Sequence, residues 1–357
     1  MLRSLAVSVV LVDHLLVTVF FRQGLLHKTV LEYFAFHLSQ AGVLAFFVHT
    51  SLVLMYSLER MARDAHRVTL RFYVRRFFRI YPLSVVCVLL VIFFHMPADT
   101  WGDGNGVITV HAAVSNLLLI QNVVWKGDGS ILAPLWSLPY EVQMYLVLPV
   151  LYFLTLRKRA VTYLIGLFLV VCMCSCLYHW KLVGHLGDIE FVPCFLSGVI
   201  CYSLRDRIKA RIPAFFWLPA VMLLIAVYCL VGGSKGTGNF WVAWVFCLLL
   251  GLAINFFRDS TEGHVNFAVG KIALYSYSVY LIHIPVFYFV FTFLGIRNSV
   301  LASTMSIALM MVGSVAAYHL IESPFIEMGR RLSTRTLRAK ESMVAPGVTD
   351  RAEVIHR

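Results

Sequence analysis

An apolar run near the N-terminus decides the fold class of this chain: residues 4–21 read SLAVSVVLVDHLLVTVFF. A helix of this length extends about 27 Å, close to the hydrocarbon thickness of a bilayer. Arg3 and Arg22 flank the run, and its ionisable residues are Asp13 and His14, near the middle. The pattern predicts a retained first helix that spans a membrane, since no small-residue cleavage site precedes Arg22.

The rest of the chain has the same apolar character. Hydrophobic residues make up 60% of the 357 residues, charged residues only 13%, and the mean hydropathy is +0.81. Because one crossing takes about 20 apolar residues, this composition provides for roughly ten crossings and little else. It excludes a separate soluble enzyme domain. We predict an all-α integral membrane protein with about ten transmembrane helices.

The apolar runs place these crossings along the chain. They are Ser4–Phe21, Phe34–Leu58, Ile80–Met96, Leu138–Leu156, Val161–Tyr178, Phe191–Leu204, Pro213–Val231, Phe240–Phe257, Ile272–Leu294 and Ser299–Ile321. The segment Val107–Val124 is apolar but interrupted by polar residues, and we expect it to be re-entrant or to lie at the outer interface. The basic segment between Glu59 and Arg79 is assigned to the cytoplasm by the positive-inside bias. Both termini are then cytoplasmic, in a multi-pass protein of the cytoplasmic (inner) membrane.

The net charge of +12 has an explanation in this topology. Basic residues collect at the cytoplasmic ends of spanning helices and contact anionic lipids, so membrane lipids are expected partners and nucleic acid is not. The eight cysteines lie in apolar runs. Cys172, Cys174 and Cys176 alternate along one helix, where neighbours in the series point about 200° apart and cannot converge on an ion. No metal site is predicted.

His14 is the first candidate for a chemical role, because an ionisable side chain inside a membrane costs free energy. Arg3 and His14 are eleven residues apart, which is only about 20° beyond three full turns, so both share one helix face about 16 Å apart. An imidazole suits proton transfer near neutral pH, but a helix histidine can equally be a packing residue. His49, His283 and His319 fit the same argument.

The basic stretch before the third crossing has two interpretations. Arg76 and Arg79 are three residues apart, share a helix face, and would grip a phosphorylated ligand with paired guanidinium groups. Alternatively they only set the topology and bind lipid headgroups. The chain has no Gly-rich phosphate loop, no Gly-x-Ser-x-Gly elbow and no His-Glu-x-x-His motif, so the commonest nucleotide, serine-hydrolase and zinc-protease chemistries lack support.

Six fragments, in this order, resemble the acyltransferase 3 family of integral membrane proteins. They are Arg3-x10-His14, Gly42-Val-Leu-Ala-Phe-Phe-Val48 followed by Ser51, Arg76-x-x-Arg79-Ile-Tyr-Pro82, Trp136-Ser-Leu-Pro-Tyr-Glu141-Val-Gln-Met-Tyr145, Ser276-Tyr277-Ser-Val-Tyr280-Leu-Ile-His283-x-Pro285, and Ile321-Glu322-Ser-Pro324. The resemblance runs from Arg3 to about Leu332. The chain departs from the family pattern at His49-Thr50-Ser51, where Leu-Ser-Gly is usual.

The resemblance implies a membrane O-acyltransferase that moves an acyl group, usually acetyl from acetyl-CoA, to a hydroxyl of a saccharide or saccharide-bearing acceptor. Acyl-CoA and a carbohydrate are then the expected partners. It also implies a single transmembrane acyltransferase domain over residues 1–332, in the stand-alone form without a C-terminal hydrolase-like domain. Residues 333–357 are expected to form a basic, disordered cytoplasmic tail.

The resemblance also assigns roles to individual residues. The implied catalytic residues are His14, Arg3 and Glu141, the implied donor-binding residues Arg76, Arg79 and Tyr81, and the implied substrate-binding residues Trp136, Ser137, Tyr145 and His283. His14 would take the proton of the acceptor hydroxyl or accept the acetyl group itself. Arg3 would orient His14 indirectly or neutralise donor charge. Glu141 would polarise the acceptor, or only favour the positive end of its helix.

Two other classes of function fit the same sequence. One is a transporter or flippase for a lipid-linked saccharide, in which the intramembrane histidines relay protons. The other is a structural partner in a polysaccharide assembly complex. Neither the acceptor nor the length of the acyl chain is marked by any motif.

Overall fold

The structure is a computed structural model that describes residues 1–24, 30–64, 68–97, 108–124, 129–181, 189–209, 211–232, 240–258 and 263–344. These residues form a helical protein. The helices are α1 (Leu2–Arg22), α2 (Val30–Asp64), α3 (Val68–Phe94), α4 (Val110–Leu117), α5 (Leu138–Thr155), α6 (Ala160–Lys181), α7 (Val192–Leu204), α8 (Trp217–Val231), α9 (Phe240–Ile254), α10 (Gly263–Phe287), α11 (Ser299–Ala317) and α12 (Ser323–Val344). Two π-helical segments, Tyr288–Phe293 and Tyr318–Glu322, continue α10 and α11.

Seven helical segments in the described part of the chain are long and apolar enough to cross a membrane. They are Leu2–Arg22, His37–Arg63, Val68–Phe94, Ala160–Leu177, Ala214–Val231, Asn266–Phe293 and Ser299–Thr334. Two further apolar helices, Ile189–Leu204 and Phe240–Ile254, are shorter, and α5 has 18 residues but carries Glu141 and Gln143. The chain is therefore a multi-pass helical membrane protein. The count of ten crossings and the cytoplasmic position of both termini stay predictions.

The segment that the sequence left ambiguous contains one short helix, and its first residue, Val107, lies outside the described residues. Helix α4 has eight residues, which extend only about 12 Å and cannot cross a bilayer. The buried side chain of Asn116 donates to the carbonyl of Gly129 and accepts from the amide of Ile131. Gln121 donates to the carbonyl of Leu135. The polar side chains of this segment thus provide hydrogen-bond partners for backbone groups of the loop that follows it.

Helix α3 begins earlier than predicted. It starts at Val68 and ends at Phe94, whereas the apolar run alone predicted a start at Ile80. The twelve additional residues alternate arginines with Leu, Phe, Tyr and Val, so a helix can bury one side of this stretch while its charged side stays polar. As a result Arg76 and Arg79 belong to the same continuous helix as the third apolar run.

Helix α2 lies at the centre of the bundle and approaches α1 and α7 closely. A Cβ atom at Gly198 of α7 would lie 2.3 Å from the carbonyl oxygen of Val48, so only glycine fits there. Ser51, which stands where the family pattern has glycine, is fully buried and donates to carbonyls of its own helix. The close approach of the two helices therefore depends on the glycine of α7.

The end of the chain differs in part from its predicted description. Helix α12 continues to Val344, so the predicted tail of residues 333–357 begins within a helix. Residues 345–357 lie outside the described residues.

Candidate active site

A cavity of about 740 Å³, including its mouth, lies where α1, α2, α3, α5 and α10 meet. Polar residues along its wall are Arg3, His49, Thr50, Arg76, Arg79, Ser137, Glu141, Tyr145, Ser276, Tyr277 and Tyr280, and apolar residues include Val43, Phe46, Phe47 and Leu138. Six of the ten predicted site residues are on this wall: Arg3, Arg76, Arg79, Ser137, Glu141 and Tyr145.

Arg3 is held at the cavity by α10. Its Nε donates to Oγ of Ser276 over 2.6 Å, and Ser276 in turn donates to the carbonyl of Ala273. Arg3 thus faces the same space as Arg76 and Arg79. Of the two roles expected for Arg3, the geometry favours that of neutralising a negatively charged ligand.

Arg76 lies among polar residues of the cavity wall that include Glu141. Arg76 and Tyr145 line the cavity together, and the hydroxyl of Tyr145 donates to Oε1 of Glu141 over 2.5 Å. Glu141 lies in the first turn of α5, where the helix dipole also favours a carboxylate. The Nε of Arg76 is buried and has no hydrogen-bond partner among the described residues. A buried donor of this kind is costly unless a ligand satisfies it.

Arg79 is tied to a carboxylate from another part of the chain. Its Nη1 lies 2.9 Å from Oε2 of Glu322, whose side chain is fully buried. Ser278 of α10 donates to the other carboxylate oxygen. Glu322 ends the π-helical segment that joins α11 to α12. Three guanidinium groups therefore face the cavity with two carboxylates close by, leaving an excess of positive charge.

The two histidines predicted for the site form a pair outside the cavity wall. Nδ1 of His14 and Nε2 of His283 are 2.8 Å apart, and the two rings are nearly parallel, with an interplanar angle of 8°. His283 is 1% exposed. Arg3 and His14 share one face of α1. Their partners, Ser276 and His283 respectively, are seven residues apart and share one face of α10.

Tyr280 connects the histidine pair to the cavity. Its ring centroid lies 6.0 Å from that of His283, and its hydroxyl is 2.8 Å from Oγ of Ser137. Tyr280 and Ser137 both line the cavity, and the ring of Phe46 packs edge-on against Tyr280. A ligand held by the arginines would reach the histidines past this aromatic wall.

Besides the two histidines, Tyr81 and Trp136 are the predicted site residues that do not line the cavity. Tyr81 is two positions beyond Arg79, which turns its side chain about 200° away on the helix, and its hydroxyl donates to the carbonyl of Leu118. The geometry does not support a donor-binding role for Tyr81. Trp136 lies one layer behind the wall, where its ring contacts Phe47 and Phe191.

Sequence reasoning assigned no role to three residues that the structure places at the site. His49 lines the cavity close to Arg3; in the sequence it was one of the histidines within an apolar run and it marked the departure from Leu-Ser-Gly. Tyr280 and Glu322 lay within the quoted fragments without an assigned role. Glu322 could have been suspected, because a carboxylate at the end of a spanning segment is expected to find a cation.

Comparison with known proteins adds a family to this geometry. A family model described as an acyltransferase domain, that of acyltransferase 3, matches residues 1–319. The acyltransferase MdmB of Streptomyces mycarofaciens is 36% identical over 125 residues, which cover 32% of this chain and 30% of that protein. The chain thus spans less than a third of this relative's length in the alignment. No solved structure matches the chain.

Proposed function

This chain belongs to the acyltransferase 3 family, and we propose that it is an enzyme that transfers an acetyl group from acetyl-CoA to a saccharide hydroxyl in the cytoplasmic membrane. The observation that carries the proposal is the cavity with three arginines, which ends at an aromatic wall with a histidine pair behind it.

The arginine cavity suits the donor. Coenzyme A carries several phosphate charges, and guanidinium groups bind phosphate with paired, charge-assisted hydrogen bonds. Arg76 provides a buried Nε that no described residue satisfies, and Arg3 adds a second cation from the facing helix. Arg79 is already paired with Glu322, so it contributes mainly positive potential. The arginines lie toward the basic ends of α1 and α3, the ends that the positive-inside bias assigns to the cytoplasm.

The histidine pair suits the transfer step. The pantetheine arm extends along Phe46 and Tyr280 toward His14, and the acceptor hydroxyl approaches the same ring. His14 takes the hydroxyl proton while the oxygen attacks the carbonyl carbon of the thioester. A carbon–oxygen bond forms, the carbon–sulfur bond breaks, and the leaving thiolate receives the proton from His14. The products are the acetyl ester and coenzyme A with a free thiol.

A direct test uses the full-length protein purified in detergent. Acetyl-CoA is supplied with a panel of methyl glycosides, and both thiol release and the mass of each glycoside are measured. We expect a stoichiometric thiol and acetyl ester with the wild type, and loss of both in His14→Ala. His319→Ala is the matched control, because His319 contacts Tyr275 away from the cavity. Saccharide movement across liposomes without thiol release in any condition would instead favour a transporter.

A further inference from the structure

The hydrogen bond between the two site histidines has a direction that the structure allows us to work out. A bond between two neutral imidazoles needs one N–H and one lone pair. The 2.8 Å separation of Nδ1 of His14 and Nε2 of His283 is compatible with either direction. The nitrogen of His14 that this bond occupies decides between them.

The bond to His283 occupies Nδ1 of His14, so an acceptor hydroxyl meets this ring at Nε2. A neutral imidazole accepts a proton at one nitrogen only when its other nitrogen carries the N–H, so Nδ1 of His14 is the donor of the bond. An imidazole of His283 that carried protons on both nitrogens would be cationic. His283 is 1% exposed and surrounded by the rings of Tyr280 and Phe287, where a charge without a carboxylate partner is costly. Nε2 of His283 therefore holds a lone pair.

It follows that Nδ1 of His14 donates and that the lone pair of His14 is on Nε2. We propose that His283 is a positioning residue, which fixes the tautomer and the ring orientation of His14 so that Nε2 is the atom that takes the hydroxyl proton. This inference rests on the proposed function. The arrangement matches the general logic of a base whose second nitrogen is held by a hydrogen-bond acceptor. It replaces the substrate-binding role that the sequence had suggested for His283.

The stretch of α10 that carries His283 is anchored on several sides. The hydroxyl of Tyr277 donates to the carbonyl of Ile80 in α3 over 2.7 Å. Ser278 donates to Glu322, and the hydroxyl of Tyr280 bonds Ser137. A residue that sets the geometry of a reacting group must itself be held in place. These three bonds fix the turn immediately before His283.

The test compares His283→Gln with His283→Met, two side chains of nearly the same length and shape. The amide oxygen of the glutamine can accept a hydrogen bond from Nδ1 of His14, as the lone pair of the imidazole does. The thioether of the methionine is only a weak acceptor. We expect the kcat of the methionine variant to fall roughly 100-fold, because the general base loses its orientation. Its KM for acetyl-CoA should be unchanged. The glutamine variant should retain kcat within about tenfold of the wild type.

His319→Met is the control for placing methionine at a membrane histidine, and it should leave kcat unchanged. Size-exclusion profiles and thermal unfolding in detergent establish that each variant is folded. Equal kcat values for the glutamine and methionine variants would overturn the proposal, and so would a methionine variant that changes KM while kcat stays at the wild-type value. Should His283→Met not fold, His283→Leu replaces it in the same comparison. A wild type that releases no thiol would instead overturn the proposed function.

Discussion

Nη1 of Arg79 lies 2.9 Å from Oε2 of Glu322, across 243 positions of sequence (322 − 79), and the carboxylate is fully buried. Breaking a buried ion pair by removing one partner generally costs about 3 to 5 kcal/mol, because the other charge is left uncompensated. We therefore predict that Glu322→Ala lowers the free energy of unfolding by about 3 kcal/mol or more. The double variant Glu322→Leu with Arg79→Met should recover part of this loss. Thermal unfolding in detergent measures both, and a Glu322→Ala protein that unfolds at the wild-type temperature would contradict the pairing.

Arg76 is predicted to act in donor binding through the shape of its guanidinium as well as its charge. Arg76→Lys keeps the charge but loses the planar fork and the donor at Nε. We expect the KM for acetyl-CoA to rise about tenfold, which corresponds to about 1.4 kcal/mol, while kcat changes little. Arg63→Lys is the matched control, because Arg63 is 72% exposed and pairs with Glu59. An unchanged KM in Arg76→Lys would remove Arg76 from the donor site.

Phe46 is predicted to limit the length of the acyl chain. Its ring lines the cavity and packs edge-on against Tyr280, with 5.9 Å between the ring centroids. Removing the ring opens space next to the proposed path of the thioester, and each added methylene in an apolar pocket is worth about 1 to 3 kcal/mol. Phe46→Ala should raise the ratio of butyryl-CoA to acetyl-CoA turnover by about tenfold or more. A ratio equal to that of the wild type would place the acyl group elsewhere.

Gly198 is predicted to be essential for the packing of α7 on α2. A Cβ atom there would lie 2.3 Å from the carbonyl oxygen of Val48, so Gly198→Ala must push the two helices apart. We expect a lower unfolding temperature and less folded protein, since overpacking generally costs about 1 to 3 kcal/mol. Gly166→Ala in α6 is the control, because a Cβ atom at Gly166 meets nothing within 4 Å. Equal stability of the two variants would contradict the close approach.

Helix periodicity predicted local relationships within the site well. The eleven-residue spacing of Arg3 and His14 placed both side chains on one face of α1, and the structure confirms this, since both contact α10 through Ser276 and His283. The three-residue spacing of Arg76 and Arg79 likewise placed both on one face of their helix, and in the structure both line the cavity. Such predictions succeed because helix geometry fixes the direction of neighbouring side chains.

Relationships between distant parts of the chain could not be predicted in the same way. No spacing rule links His14 to His283 or Arg79 to Glu322, because which helices pack together depends on the whole bundle. The resemblance placed Tyr81 with the donor, but its position two residues after Arg79 turns it to the opposite side of α3. Helix periodicity would have been the better guide for that residue.

The proposed function depends on the imidazole of His14, which carries out acyl transfer from acetyl-CoA to a saccharide hydroxyl. The most direct measurement is the rate at which folded protein in proteoliposomes converts methyl glycosides to acetyl esters, compared between the wild type and His14→Ala. We expect ester formation that matches thiol release in the wild type and falls at least about 100-fold in the variant. Ester formation at the wild-type rate by a correctly folded His14→Ala protein would contradict it.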